Sequence, residues 1–245
     1  MNQHFSEQQQ AQVRHLIDGA LKVFQNAEQL YHEGSLLCAN GAFCRALFLH
    51  QISMEECGKI EMLAGWIASI FMGEEVDTRK VSRAMANHKA KNEANAYFLP
   101  VDEVEKKARD AADISAAVKA FDDVKSTFHR DSNLAKNASL YVDYDRDEFK
   151  APTEMITASM AQEIANRNVD FLEMAHHKIE VMSNWRVAPD KIAPTLETIA
   201  ERLKALRATS PADLESALVN LLDEFRRAGI QSGDAPKPTR RDATE

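Results

Sequence analysis

Apolar residues early in the chain recur at intervals of three and four: Val13, Leu16, Ala20, Phe24, Ala27, Tyr31 and Gly34. That spacing lines one face of a helix. Ser6, with Gln9 three residues on, supplies a capping box for its start. Asn40-Gly41 is the first turn signal. From Phe43 to Met72 the chain is apolar over most of a helical circumference and stops at Gly73, which predicts a helix central to a bundle. Asp77 or Thr78 opens a third helix reaching about Phe98, where Pro100 stops it. A fourth runs from Asp102 towards His129, with Val104, Ala108, Ala111, Ile114, Val118, Phe121, Val124 and Phe128 on one side. Pro152-Thr153 restarts the chain as a fifth, striped by Met155, Ala158, Ala165, Val169, Leu172, Ile179 and Met182.

The pattern changes at "SNWRVAPDKIAP". Two shorter amphipathic helices follow, one from Thr195 to Leu206 and one from Ser210-Pro211 to just before Gly229. The final "QSGDAPKPTRRDATE" has no large apolar residue and is expected to be disordered. The organisation expected is therefore a helical bundle over 1–185, a small helical appendage over 186–230 and a tail over 231–245. Composition agrees with an all-α fold of about five core helices: 44% hydrophobic residues against 8 Gly and 7 Pro.

A net charge of −8 disfavours diffuse binding to nucleic acid or an anionic membrane surface and leaves room only for a local basic cleft. Cys38, Cys44 and Cys57 are odd in number and lie inside apolar helical patterns, so they read as reduced core residues. The start "MNQHFSEQQQ" does not read as a signal peptide, and "IEMLAGWIASIFMG" is too short to span a bilayer. A cytoplasmic protein without membrane contact is expected.

Some polar residues stand where a bundle does not need them. Glu55, Glu56 and Lys59 interrupt the second helix, with Glu56 on the stripe of Leu49, Ile52, Ile60 and Leu63. An exposed pair four residues apart explains Glu55 with Lys59 but leaves Glu56 unexplained, so at least one acid is expected to face a polar cleft. His88, Lys91, Asn92 and Asn95 share a face of the third helix, either as a solvated side beside Arg79, Lys80, Arg83 and Lys89 or as part of a site. Glu173 and His176 make a single Glu-x-x-His pair; carboxylate-bridged metal bundles need two, so no metal or cofactor is assigned. His176-His177 is expected at the surface or an interface.

The stretch "KNASLYVDY", Lys136 to Tyr144, sets a lysine, an asparagine and two tyrosines beside an acid. Together with "LLCANGAF…EECGK" and "HKAK", it resembles the AbiV-like branch of the HEPN superfamily, associated with bacterial abortive infection against phage. The resemblance covers roughly Ala20 to Met182. It implies a HEPN-like helical bundle, a homodimer, and in many members a metal-independent endoribonuclease using an Arg-Asn-x-x-x-His motif. That motif falls on Lys136, Asn137 and Tyr141. Lysine keeps the charge but loses the bidentate geometry of arginine. Tyrosine, with an ordinary pKa of about 10, donates hydrogen bonds but does not act as a base at neutral pH unless strongly shifted.

Two functions of different class follow. In an RNA-cutting toxin, Lys136, Asn137, Tyr141 and His88 carry the chemistry, with His88 replacing the missing imidazole. Arg130, Lys91, Glu56, Lys59 and Asp143 then line the substrate path. In a non-catalytic interaction protein, the same cluster binds a phage protein, an antitoxin partner or a nucleotide. A purely structural role for "LYVDY" instead packs Tyr141 and Val142 in the core, with Asp143 capping a turn.

Overall fold

The computed structural model describes residues 6–95, 99, 101–111, 113–187, 198 and 201, without the side chains of Asn92, Glu93 and Asp145. The described residues up to Thr198 belong to one compact unit, and a second spans residues 199–245. The appendage helices and tail expected from sequence lie outside the described residues.

Helix α1 (Glu7–Ala39) begins at the expected capping box: Ser6 Oγ accepts from the Gln9 amide at 3.2 Å while the Ser6 amide donates to Gln9 Oε1 at 3.0 Å. Gly41, at φ +74°, turns the chain into α2 (Phe43–Phe71). Only glycine adopts that conformation without strain. The expected stripe of α1 is buried at Val13, Leu16, Ala20, Phe24, Ala27 and Gly34, while Tyr31 is half-buried. Helix α2 is buried on nearly all sides, as its apolar circumference requires.

The third and fourth segments each break in two. Helices α3 (Thr78–Ala86) and α4 (His88–Asn95) meet at Asn87, whose backbone is extended. Asn87 Oδ1 accepts from the amides of Lys89 and Ala90, at 2.9 and 3.3 Å, so a new helix start competes successfully with continuation. Helices α5 (Glu103–Asp110) and α6 (Ile114–Leu140) separate likewise at Asp113, whose Oδ1 accepts from the Ala116 amide at 2.9 Å. The break rotates the two halves independently, and the single expected stripe is lost. Val104 and Val118 are 65% and 55% exposed, while Ala108, Ala117, Ala120 and Phe128 are buried.

After α6 comes a hairpin that the sequence reading missed. Strands β1 (Asp143–Asp145) and β2 (Glu148–Lys150) pair antiparallel across a two-residue turn, with Arg146 at φ 50° and Asp147 at φ 67°. The turn is held by Tyr144 Oη donating to Asp147 Oδ1 at 3.1 Å. A short α7 (Pro152–Met155) precedes α8 (Ala158–Val187), whose Thr157 Oγ1 accepts from the Met160 amide.

The core is a three-helix sandwich of α1, α2 and α8. Val13, Ile17 and Phe24 pack with Ile60, Ile67 and Phe71 and with Phe171, Ile179 and Met182. Each such side chain contributes about 1.5–3 kcal/mol when withdrawn from water. Helix α6 adds Phe128 at the margin, and α4 lies along α2 with Ala94 and Asn95 buried. One polar network sits inside the core. Asn168 Nδ2 donates to His50 Nδ1 at 3.2 Å, and Ser53 Oγ donates to the Ala27 carbonyl at 2.7 Å. Burial pushes the His50 imidazole down from 6.5 to about 4, so the ring is neutral. Among the described residues no helix is long and apolar enough to cross a membrane.

Candidate functional site

Glu55 is the centre of a charged cluster that joins α2, α4 and α6. Its Oε1 accepts from Lys136 Nζ at 2.7 Å, and its Oε2 lies 2.9 Å from Lys91 Nζ and 2.6 Å from His88 Nδ1. The acid and both lysines are buried, with side-chain exposures of 4, 8 and 10% for Glu55, Lys91 and Lys136. His88 differs: its side chain is 59% exposed. Burial alone raises the Glu55 pKa, but the hydrogen bonds from Lys136, Lys91 and His88 outweigh it and hold the carboxyl below its ordinary value. The group is a carboxylate at neutral pH, able only to accept.

That assigns the histidine tautomer. Nδ1 must carry a hydrogen towards Glu55, which leaves Nε2 of the neutral ring as an acceptor turned away from the acid. The Lys136 Nζ approach to His88 Nδ1 at 3.5 Å is then a contact of two donors sharing one carboxylate, not a hydrogen bond between them. One carboxylate against two ammoniums leaves the cluster with net positive charge. It suits an anion. A lone carboxylate already ringed by cations repels a further cation, and among the described residues no group of three or more His, Cys, Asp or Glu converges.

Close packing of α4 on α2 fixes the arrangement. Gly58, one turn after Glu55, faces the Lys91 carbonyl and the Asn95 side chain so closely that a Cβ would collide with both. Asn95 is 1% exposed, and among the described residues neither polar atom of its side chain has a partner. Helix α6 is tied to α2 again where Arg45 donates to the Ser139 carbonyl at 3.2 Å.

Of the site residues expected from sequence, the structure brings together Lys136, His88 and Lys91. Glu56 and Lys59 pair with each other at 2.5 Å, three residues apart on α2. Glu56 is 8% exposed, as an acid on an aliphatic stripe must be when it has a partner. The expected exposed pair of Glu55 with Lys59 does not form: Lys59 takes Glu56, and Glu55 turns inward to three other cations or donors. Asn137 is exposed in the last turn of α6. Tyr141 and Val142 are 63% and 61% exposed, so the core packing considered for them does not occur. Arg130 is exposed and holds Asp131 at 2.9 Å. Asp143 opens β1, its Oδ1 accepting from the Tyr144 amide at 2.8 Å. His176 and His177 lie on the surface; His176 stacks on Phe24 with 5.6 Å between ring centroids.

Glu55 is the residue that sequence reasoning missed. The signal was present: two adjacent acids share an apolar helix with one lysine, and Lys59 can satisfy only one of them.

An all-helical bundle with a charged, partly open cluster on the flank of its central helix is the class defined by fold and site. The HEPN_AbiV family model, described as AbiV, matches residues 15–173, and the chain belongs to that family. It is also similar to "Uncharacterized protein y4gJ" of Sinorhizobium fredii (strain NBRC 101917 / NGR234), being 40% identical over 112 residues. That alignment covers 46% of this chain and 58% of the relative's length. No solved structure matches.

Proposed function

We propose that the chain is the RNA-directed toxin of an abortive-infection system, a metal-independent endoribonuclease. The observation that carries this reading is an exposed imidazole oriented by a buried carboxylate, Glu55 Oε2 to His88 Nδ1 at 2.6 Å. His88 Nε2 takes the proton of a ribose 2′-hydroxyl. The freed oxygen attacks the adjacent phosphorus, the bond to the 5′ oxygen breaks, and the products carry a 2′,3′-cyclic phosphate and a 5′-hydroxyl. The leaving oxygen takes its proton from water or from Tyr141. Lys136 and Lys91 each keep further N–H donors beyond the one given to Glu55, and their charge offsets that developing on the phosphate. Asn137 and Tyr141, exposed at the end of the same helix, contact the substrate. The protein works as a homodimer, for which exposed large apolar side chains at the end of α6 and on the hairpin, among them Leu134, Val142, Tyr144 and Phe149, are available.

The exposure of Asn137 and Tyr141 also favours a second reading, a non-catalytic protein that halts infection by binding a phage or host protein. Induction in a bacterial host separates the two. Growth arrest with RNA fragmentation, both lost in His88→Ala, supports the nuclease. Arrest that persists in His88→Ala with intact RNA supports the binding protein.

A further inference from the structure

We propose that the outward face of α3, carrying Arg79, Lys80 and Arg83, is the contact surface for the RNA backbone and leads the strand to His88. The proposal rests on the reading of the chain as RNA-directed.

A chain with a net charge of −8 repels a polyanion unless positive charge is gathered somewhere. The Glu55 cluster cannot do this alone, because its two lysines are buried and already engaged with the acid. The stretch from Thr78 to Lys91 differs from the rest of the sequence: it holds Arg79, Lys80, Arg83, Lys89 and Lys91 and no acidic residue. Glu74, Glu75 and Asp77 stand just before it, so the positive charge is weighted towards the end nearer His88.

The fold turns this charge outward. On α3, Val81, Ala84 and Met85 are half-buried, and Met85 packs against the core. Arg79 and Arg83 occupy the opposite side, Lys80 lies on its flank, and all three are exposed. None of the three forms an ion pair among the described residues, whereas Arg130, Arg167 and Arg186 each hold a carboxylate. Arg83 Nε is fixed by the Arg79 carbonyl at 3.3 Å. Arg79 and Arg83 lie about 6 Å apart along the helix axis. The chain then crosses the extended Asn87 and reaches the exposed ring of His88 five residues after Arg83. The break at Asn87 thus joins a phosphate-contacting helix directly to the reactive side chain.

The test uses the full chain and its Arg79→Gln/Lys80→Gln/Arg83→Gln variant. Glutamine keeps helix propensity at these exposed positions, and circular dichroism confirms the fold. Binding of a 20-nucleotide RNA with 2′-O-methyl riboses, which cannot be cut, is followed by fluorescence anisotropy across salt concentrations. For three lost phosphate contacts, the slope of log K against log salt becomes shallower by about 2, and affinity at low salt falls about tenfold or more. Dinucleotide cleavage is unchanged in the variant, while kcat/KM on the long RNA drops with binding. Equal slope and affinity in parent and variant would overturn the proposal, as would parent binding of polyglutamate as tight as that of RNA. If the parent binds through these residues yet leaves every RNA intact, the surface assignment stands and the nuclease reading fails.

Discussion

The Nδ1 atom of His88 lies 2.6 Å from Oε2 of Glu55, and the two side chains are 59% and 4% exposed. A buried acid thus orients an exposed ring, and the proposed function makes its other nitrogen the proton acceptor. His88→Gln removes the proton acceptor from a largely solvated position, so it changes stability by less than about 0.5 kcal/mol. RNA cleavage falls by about a hundredfold or more. Thermal melting and a single-turnover cleavage assay on the same preparation check both halves; a large loss of stability would assign His88 a structural role instead.

Glu55→Gln has the opposite signature. It leaves the buried ammoniums of Lys91 and Lys136 without their carboxylate and costs about 3–5 kcal/mol, measured by urea denaturation. Adding Lys136→Met to Glu55→Gln recovers part of the loss, because one of the stranded charges is removed. The pH dependence follows from the sign of the shift. The folded-state pKa of Glu55 is depressed, so its stabilisation is present above the ordinary value of 4.5 and is lost as pH falls below it. The parent therefore loses this contribution below pH 4.5, and the Glu55→Gln protein has none to lose.

His50 acts in a different window. Its folded pKa of about 4 lies below the ordinary 6.5, so the unfolded chain takes up a proton that the folded chain refuses. Stability falls as pH drops from 6.5 towards 4, by about 2 kcal/mol between pH 7 and pH 5. In His50→Gln, which can still accept from Asn168, that slope is absent from denaturation curves at the two pH values. An unchanged slope would show that another group supplies it.

Much of the bundle was legible in the sequence. The α1 stripe, the Asn40-Gly41 turn and the apolar circumference of α2 are local signals that tertiary packing reinforces, and each fell where expected. The breaks at Asn87 and Asp113 were not legible, because a side chain that caps a new helix reads as one more polar residue in a continuing one. The hairpin was hidden by its short strands and by a turn of Arg146-Asp147 in place of glycine. Lys136, His88 and Lys91 were expected as site residues from motif and spacing, and the structure brings them together around Glu55. Glu55 was not, since its partners lie 33, 36 and 81 positions away along the chain and only the fold brings them to it.

Gly58→Ala tests the packing that builds the cluster. The added methyl meets backbone and a buried amide, neither of which is the free end of a flexible chain, so α4 must shift outward. The expected cost is about 1–3 kcal/mol, with a fall in cleavage because His88 and Lys91 move with the helix. Gly65→Ala, where nothing lies within 4 Å of the new methyl, is the control: it raises stability by about 0.5–1 kcal/mol through helix propensity and leaves cleavage unchanged.

The most direct measurement is the chemistry of the cut ends. Purified parent protein is incubated with single-stranded RNA in the presence of EDTA, and the products are resolved by mass spectrometry. Cleavage is expected to proceed with 2′,3′-cyclic phosphate and 5′-hydroxyl ends, to stop in His88→Gln, and to skip any position substituted with a 2′-deoxyribose. RNA left intact by a folded parent, cleavage only when a divalent metal is added, or equal cleavage by His88→Gln would contradict the assignment of the Glu55–His88 pair as the reactive centre.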